Sequence, residues 1–285
     1  MNLNEYDLSR WQVATVVSNE RITPAGDADV RHLVLEVSGN LDYVEGQSIA
    51  VIVHGPVEFG NPYHIRLYSI ASPRNGEGGH LGTFSLCVRR CFYIDDVSGE
   101  RFPGVASNFL CDSEPGDPIQ IAGPFGSQFS VPHDNTSNLL MVGVGTGIAP
   151  FRAFIQHIYK ERGGWKGQVR LFYGARTGLD LLYMNDVKKD FSLYYTEGSF
   201  KAFEAVSHRP AVEASPNMER VFADNQEELW GLVQDPHTYV YLAGLMDVAP
   251  KFEKAMVEAA GSEIEWHCKR AELIEEGRYA ELLYD

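Results

Sequence analysis

Residues 139–154 read Leu-Leu-Met-Val-Gly-Val-Gly-Thr-Gly-Ile-Ala-Pro-Phe-Arg-Ala-Phe, an apolar run that breaks into glycines and resumes at helical spacing. A strand that turns sharply into a helix satisfies that pattern. Gly143, Gly145 and Gly147 let the backbone turn tightly and come close to a neighbour, and Pro150 falls in the first helical turn, where its missing N–H costs nothing. The start of such a helix presents unpaired N–H groups and the positive end of its dipole, which suits the pyrophosphate of a dinucleotide. Glycine turns of this kind also join strands to helices in proteins that bind no nucleotide, so the segment alone leaves both readings open.

The turn constrains the whole second half of the chain, because strand–turn–helix units assemble into parallel sheets covered on both faces. From residue 138 onward the apolar runs Leu139–Val142, Val169–Tyr173, Leu193–Thr196 and Tyr239–Ala243 alternate with helical stretches. Phe151, Phe154, Ile155 and Ile158 form one helical stripe, and Met218, Val221, Phe222, Leu229, Trp230 and Val233 form another. Asp247–Ala260 is expected as the last helix. A ligand belongs at the carboxyl ends of such strands, where Gly145, Thr146, Ala243, Gly244 and Leu245 fall. Before residue 132 the pattern is different. Short alternating runs (Trp11–Val17, His32–Val37, Ser48–Val53, Thr83–Val88) are separated by Gly, Pro, Asn and Asp turns, as in an antiparallel barrel. The polar stretch 132–138 separates the patterns, and the expected domains are 1–135 and 136–285.

One alternating segment in the first half carries chemistry. Arg66-Leu67-Tyr68-Ser69-Ile70-Ala71-Ser72 runs at strand period into Pro73, which puts Arg66, Tyr68 and Ile70 on one face. An arginine and a tyrosine so spaced could hold a phosphate and stack on a flat ring, or simply line a half-buried strand. Taken together, Arg66-Leu67-Tyr68-Ser69 and Gly143-Val144-Gly145-Thr146-Gly147-Ile148-Ala149-Pro150-Phe151-Arg152 resemble the plant-type ferredoxin-NADP(+) reductase family. Further ordered matches extend the resemblance from about residue 10 to Tyr284: Ser85-Leu86-Cys87-Val88-Arg89-Arg90, Gly104-Val105-Ala106-Ser107-Asn108-Phe109-Leu110, Gly123-Pro124-Phe125-Gly126, Leu181-Leu182-Tyr183, Ala205-Val206-Ser207 and Tyr239–Leu245.

The resemblance implies an antiparallel Greek-key β-barrel that binds FAD, followed by a doubly wound α/β parallel sheet that binds NADP(H). By the same resemblance Tyr68 lies against the isoalloxazine, Arg66 on the FAD phosphates and Ser69 near the flavin N5. Cys87, Val88 and Arg89 form the strand beside the flavin, and Tyr93 lies near the adenine. Gly104, Val105, Ala106 and Ser107 make the FAD pyrophosphate turn, with Gly123–Gly126 a barrel-closing turn. Gly145, Thr146, Gly147, Pro150, Gly244 and Leu245 serve the nicotinamide dinucleotide, and Tyr284 covers the second flavin face. Tyr68, Ser69 and Tyr284 are the residues expected at the reacting rings, which would meet in a cleft between barrel and sheet.

Three departures from the family pattern bear on rate and specificity. Ala243 stands where the family has a cysteine beside the nicotinamide, and Leu282 aligns with a terminal carboxylate. Neighbouring Glu281 is a candidate substitute. For the 2′-phosphate the family uses a Ser-Arg pair and then a Lys and a Tyr. Here Ser207-His208-Arg209 and Asn217-Met218-Glu219-Arg220 stand in their place, so Ser207, Arg209 and Arg220 are the expected phosphate ligands, with Glu219 opposing them. NADPH is expected over NADH.

Composition narrows the partner. Cys87, Cys91, Cys111 and Cys268 show no cluster, zinc or disulfide spacing, so the electron partner is expected to be a separate molecule: ferredoxin or another iron–sulfur or flavin carrier. The nine histidines show no ligand spacing, and no metal is expected. A net charge of −15 argues against nucleic acid. It also weakens long-range attraction to an acidic ferredoxin unless a basic patch, with Arg89, Arg90, Arg101, Lys269 and Arg270 as candidates, overrides it. That difficulty keeps open a reductase component feeding an oxygenase or another metabolic complex, or a flavin-binding subunit with weakened catalysis. No apolar run is long enough to span a bilayer and no secretory pattern opens the chain, so a cytoplasmic location is expected.

Overall fold

The computed structural model describes residues 10–39, 41–55, 62–95, 97–126, 128–207 and 217–284. These fall into two compact units, the second beginning at Gln128.

The first unit holds β1 (Trp11–Arg21), β2 (Val30–Val37), β3 (Ser48–His54), β4 (Tyr63–Ser69), β5 (Thr83–Arg89), the hairpin β6 (Phe92–Ile94) and β7 (Arg101–Pro103), helix α1 (Val105–Asp112) and β8 (Pro118–Phe125). Six strands form an antiparallel sheet in the order β4-β3-β8-β1-β2-β5. The sheet curls until its edges meet: Ile70 bridges Leu86, and Ala71 N donates to Ser85 O at 2.8 Å. Alternation puts Ala14, Leu33, Leu35, Ile49, Val51, Phe84, Leu86, Ile119 and Ile121 inside, and α1 adds Ala106, Leu110 and Cys111 to the same core. Gly123–Phe125, expected as a closing turn, instead continue β8 and set Phe125 opposite Ser48.

The second unit holds β9 (Asn138–Val144), α2 (Ile148–Gln156), β10 (Val169–Ala175), β11 (Phe200–Val206), α3 (Met218–Asp224), α4 (Gln226–Gln234), β12 (Thr238–Leu245), α5 (Val248–Ala260), α6 (Glu263–Glu275) and β13 (Tyr279–Tyr284). Its strands are parallel in the order β11-β10-β9-β12-β13. Central β9 is buried at every position. One sheet face carries Leu140, Val142, Phe172, Val240 and Leu242 against Phe222, Leu229, Phe252, Trp266 and Leu273 of α3–α6. On the other, Tyr241 meets Phe154 of α2 edge-on, with ring centroids 5.2 Å apart.

Three expectations need correcting here. Leu193–Thr196 is not a strand; residues 190–194 form a 3₁₀ turn that buries Phe191 and Tyr194, three apart, while Leu193 and Tyr195 stay exposed. The second helical stripe is cut at Asn225 into α3 and α4. The helix over Asp247–Ala260 is not the last. Gly261 ends it in the left-handed region (φ 68°), and Ser262 caps α6 by accepting from Glu265 N at 3.4 Å.

Candidate cofactor sites

In the barrel unit α1 packs against β4 and β5, the strands that carry Arg66, Tyr68, Ser69, Cys87, Val88 and Arg89. Gly104 precedes the helix with extended backbone, and no side chain caps the first turn, so the N–H groups at Val105 and Ala106 are left for a ligand. The turn is tied to Cys91. Gly104 N donates to Cys91 O at 2.9 Å, Asn108 Nδ2 to the same oxygen at 2.8 Å, and Cys91 N to Ser107 Oγ at 3.1 Å. Ser107 is therefore turned inward to hold the cradle rather than outward to a ligand.

Arg66 is exposed on β4 and donates to Ile65 O at 3.0 Å, with no carboxylate partner among the described residues. Tyr68, two residues on, packs part-buried against the barrel core. Burial, reinforced by the Cys91 and Cys111 thiols and opposed by Arg66, holds its phenol protonated well above the ordinary tyrosine range. Ser69 is half-buried opposite Ser48, and its hydroxyl makes no side-chain hydrogen bond among the described residues. Cys87 and Val88 are buried in β5, so their backbone alone could face a ligand, whereas Arg89 at the strand end is exposed. Tyr93 is exposed and stacks on Phe102, centroids 5.3 Å apart.

Of the five cations named for a basic patch, four are engaged. Arg90 donates to Asp29, Asn108 and Asp112. Arg101 lies 3.6 Å over the Phe92 ring, Lys269 pairs with Glu272 at 2.7 Å and Arg270 with Glu281 at 3.5 Å. Among the described residues only Arg89 of the five has no such partner.

In the sheet unit the glycine turn lies at the carboxyl ends of β9 and β12. Gly145–Gly147 form a 3₁₀ turn, Gly145 at φ 58°, and α2 begins at Ile148 with no side-chain cap. Pro150 is the buried third residue of α2. Gly147 lies so close to β12 that a Cβ there would overlap the Ala243 carbonyl. Beneath the turn, Tyr173 Oη donates to Gly145 O at 2.8 Å and accepts from Leu182 N at 3.3 Å. Gly244 and the exposed Leu245 close β12 beside it.

β13 brings Tyr284 to this turn. Leu245 pairs with Tyr284, Met246 N donates to Tyr284 O at 3.1 Å, and the Tyr284 and Thr146 hydroxyls are 2.5 Å apart. The same register sets Ala243 beside Leu282, so the two apolar departures are cross-strand neighbours. Strand alternation turns Glu281 to the opposite face, where it pairs with Arg270. Glu281 therefore does not share the face on which Ala243 and Leu282 are neighbours.

The predicted 2′-phosphate ligands are partly on view. Ser207 is buried just past β11, its N donating to Arg176 O at 3.2 Å. Arg220, on α3, lies 3.5 Å from Asp224. Arg209 falls outside the described residues. Sequence reasoning missed Asn108, Tyr173 and the role of Cys91. A polar residue four after an N-terminal glycine, as Asn108 is after Gly104, was the available signal for the first; the others depend on contacts between distant segments.

A family model described as an oxidoreductase NAD-binding domain matches residues 141–254. The chain is 36% identical over 265 residues to ferredoxin–NADP reductase of Thermosynechococcus vestitus, across 90% of this chain and 68% of that protein. It is 38% identical over 273 residues to the chloroplastic leaf isozyme 1 of ferredoxin–NADP reductase from Oryza sativa subsp. japonica, across 92% and 74%. With the ferredoxin–NADP reductase of Spirulina sp. it shares 34% over 288 residues, across 97% and 96%. A solved ferredoxin-NADP+ reductase from Plasmodium falciparum has the same fold, with a TM-score of 0.74 over 100% of this chain and 99% of that one at 18% identity.

Proposed function

The chain belongs to the plant-type ferredoxin–NADP(+) reductase family, and from that premise we propose that the cradle at α1 holds FAD and the glycine turn before α2 holds NADP(H). The protein is an FAD-dependent oxidoreductase that moves electrons between NADP(H) and ferredoxin. FAD supplies the chemistry that joins the two, since it takes up electrons as a hydride and gives them out singly.

The residues present fit these groups. The observation that carries the assignment is that α1 and α2 each follow a glycine-containing turn and start without a side-chain cap. At α1, Arg66 and Arg89 supply guanidinium groups for phosphate oxygens, and Val105 and Ala106 supply N–H donors. Tyr68 offers a ring to stack on, Tyr93 a second for the adenine, and Ser69 a hydroxyl without a partner. At α2 the turn Gly145–Gly147 with Gly244 and Leu245 receives the nicotinamide dinucleotide. Ser207, Arg209 and Arg220 read the 2′-phosphate, which favours NADPH over NADH, and Tyr284 shields the ring system. With Ala243 and Leu282 side by side, neither a thiol nor a carboxylate orients the nicotinamide at that position, which slows hydride transfer through looser positioning.

Purified protein is expected to be yellow and to bleach within seconds on anaerobic mixing with NADPH. A preparation that stays colourless after incubation with FAD, or bleaches only over hours, overturns the proposal. The engagement of Arg90, Arg101, Lys269 and Arg270 in local pairs, together with the net charge of −15, favours a second reading of the partner: a carrier less acidic than ferredoxin, in a complex that consumes reducing equivalents. Exchange of carriers in a cytochrome c assay separates the two. Among the described residues no helix is long and apolar enough to cross a membrane, and we place the protein in the cytoplasm.

A further inference from the structure

Tyr173 is completely buried in β10, yet it carries a hydroxyl where an apolar ring would fill nearly the same space. Burying a hydroxyl is favourable only when its hydrogen bonds are made, so its partners indicate what it does. It donates to Gly145 O at 2.8 Å and accepts from Leu182 N at 3.3 Å. The ring has room to reach the turn because its neighbour across the ladder on β9 is Gly143, where an added Cβ would come within 3.6 Å of the Tyr173 ring and 3.0 Å of Phe151. The loop that supplies the Leu182 N–H is held firmly. Tyr183, also fully buried, has φ 62°, in the left-handed region that a bulky side chain occupies only where its surroundings enforce it. Those surroundings include α2 itself: Arg152 lies 5.0 Å over the Tyr183 ring and donates to Asp190 at 2.6 Å, while Phe191 N donates to Tyr183 O at 3.1 Å.

A hydrogen bond to a peptide oxygen also fixes the N–H of the same peptide. The Gly145–Thr146 bond is trans, so the Thr146 N–H points opposite to the Gly145 carbonyl and away from the phenol. Among the described residues no acceptor takes that N–H. On the reading that this turn receives a dinucleotide, we propose that Tyr173 is a positioning residue for it. Its phenol, donating to Gly145 O from beneath, holds the peptide plane with the Thr146 N–H turned toward the pyrophosphate and polarises that N–H as a donor. Tyr173 itself never touches the ligand. The loop after β10 takes part, because the Leu182 N–H fills the acceptor side of the phenol and leaves its proton for Gly145.

Calorimetric titration of the flavin-loaded protein with two probes separates this role from general support of the fold. NADP+ carries the pyrophosphate, whereas 2′-AMP carries adenosine and the 2′-phosphate without it. Tyr173→Phe is expected to bind NADP+ about three- to tenfold more weakly, the range of one neutral hydrogen bond, and to bind 2′-AMP as wild type does. In steady-state assays KM for NADPH rises by more than kcat falls. Thermal melts identify a variant that is unfolded at the assay temperature. A second variant, with 3-fluorotyrosine in place of Tyr173, keeps the hydroxyl and makes it a stronger donor, so it binds NADP+ more tightly than wild type. Unchanged NADP+ affinity in the folded Tyr173→Phe protein overturns the proposal, and so does a fluorinated protein that binds NADP+ less tightly than wild type. An equal loss for both probes also overturns it, because that would mark a loosening of the whole sheet unit. Wild-type protein that fails to bind NADP+ at all would refute the underlying assignment of the turn instead.

Discussion

The starts of α1 and α2, the two proposed here to receive a ligand, are built by opposite means. The cradle at α1 is held by polar side chains: Ser107 and Asn108 grip the Cys91 backbone, and Arg66 on β4 and Arg89 on β5 meet no carboxylate among the described residues. The turn at α2 is held by backbone in contact with backbone, with Gly147 against β12 and the unit's central strand behind it. A cradle made of side chains tolerates small shifts and can lose its parts one at a time. A turn made of main chain tolerates almost nothing, because an added methyl group must move a strand.

The sharpest way to break this contrast is to add one carbon at each site. In Gly147→Ala the new Cβ overlaps the Ala243 carbonyl, so β9 and β12 must part; a loss of about 3 kcal/mol is expected, read by urea unfolding, with NADP+ binding abolished. In Gly104→Ala the Cβ meets Ser107 Oγ at 3.0 Å and the Cys91 carbonyl at 3.3 Å, where a hydroxyl can rotate away; a loss of about 1 kcal/mol is expected. Equal losses would end the distinction.

A smaller effect separates arginines kept for a ligand from those that hold the barrel. Arg66→Ala is expected to weaken FAD binding by about ten- to a hundredfold, followed by flavin release, with little change in the stability of the flavin-free protein. Arg90→Ala takes one donor from Asn108 and Asp112 and leaves Asp29 with Arg31 as its remaining hydrogen-bond donor, and should do the reverse. The smallest effect is in acid. Burial raises the Asp29 carboxyl, but hydrogen bonds from Arg31 and Arg90 outweigh it and hold the group below its ordinary value of 3.8. Its contribution is therefore complete above the unfolded value and disappears as pH falls through the folded one. Asp29→Asn should be less stable than wild type by about 1 kcal/mol or less at pH 6, and the gap should narrow progressively as the pH is taken below 3.8, as measured by urea titration across that range.

Local pattern revealed most of the fold, and it failed where a competing period or a distant contact decided the outcome. The glycine turn, the alternating barrel strands and the start of α1 are visible in neighbouring residues. Leu193–Thr196 looks like a strand because it is apolar and rich in Tyr, yet Phe191 and Tyr194 are spaced for a 3₁₀ turn, and the strand lies further on at Phe200–Val206. Ser262-Glu263-Ile264-Glu265 has the spacing of a helix cap and could have revealed α6. Sequence leaves Glu281 either as a substitute carboxylate or as a solvent-facing one, and it lies on the face away from Leu282 because adjacent strand residues face opposite sides of a sheet. Nothing in the sequence could show that Ala243 lies beside Leu282, or that Thr146 meets Tyr284, since both depend on the register of β12 with β13.

The position of β9 also sets a schedule for synthesis. It pairs with β10, made soon after it, and with β12, which leaves the ribosome about a hundred residues later. Until β12 arrives, Gly147 has no carbonyl to rest against, and until β13 follows, Thr146 has no phenol to meet. A nascent chain can thus complete its barrel well before the glycine turn has its neighbours, and that turn matures only once β12 and β13 have been made.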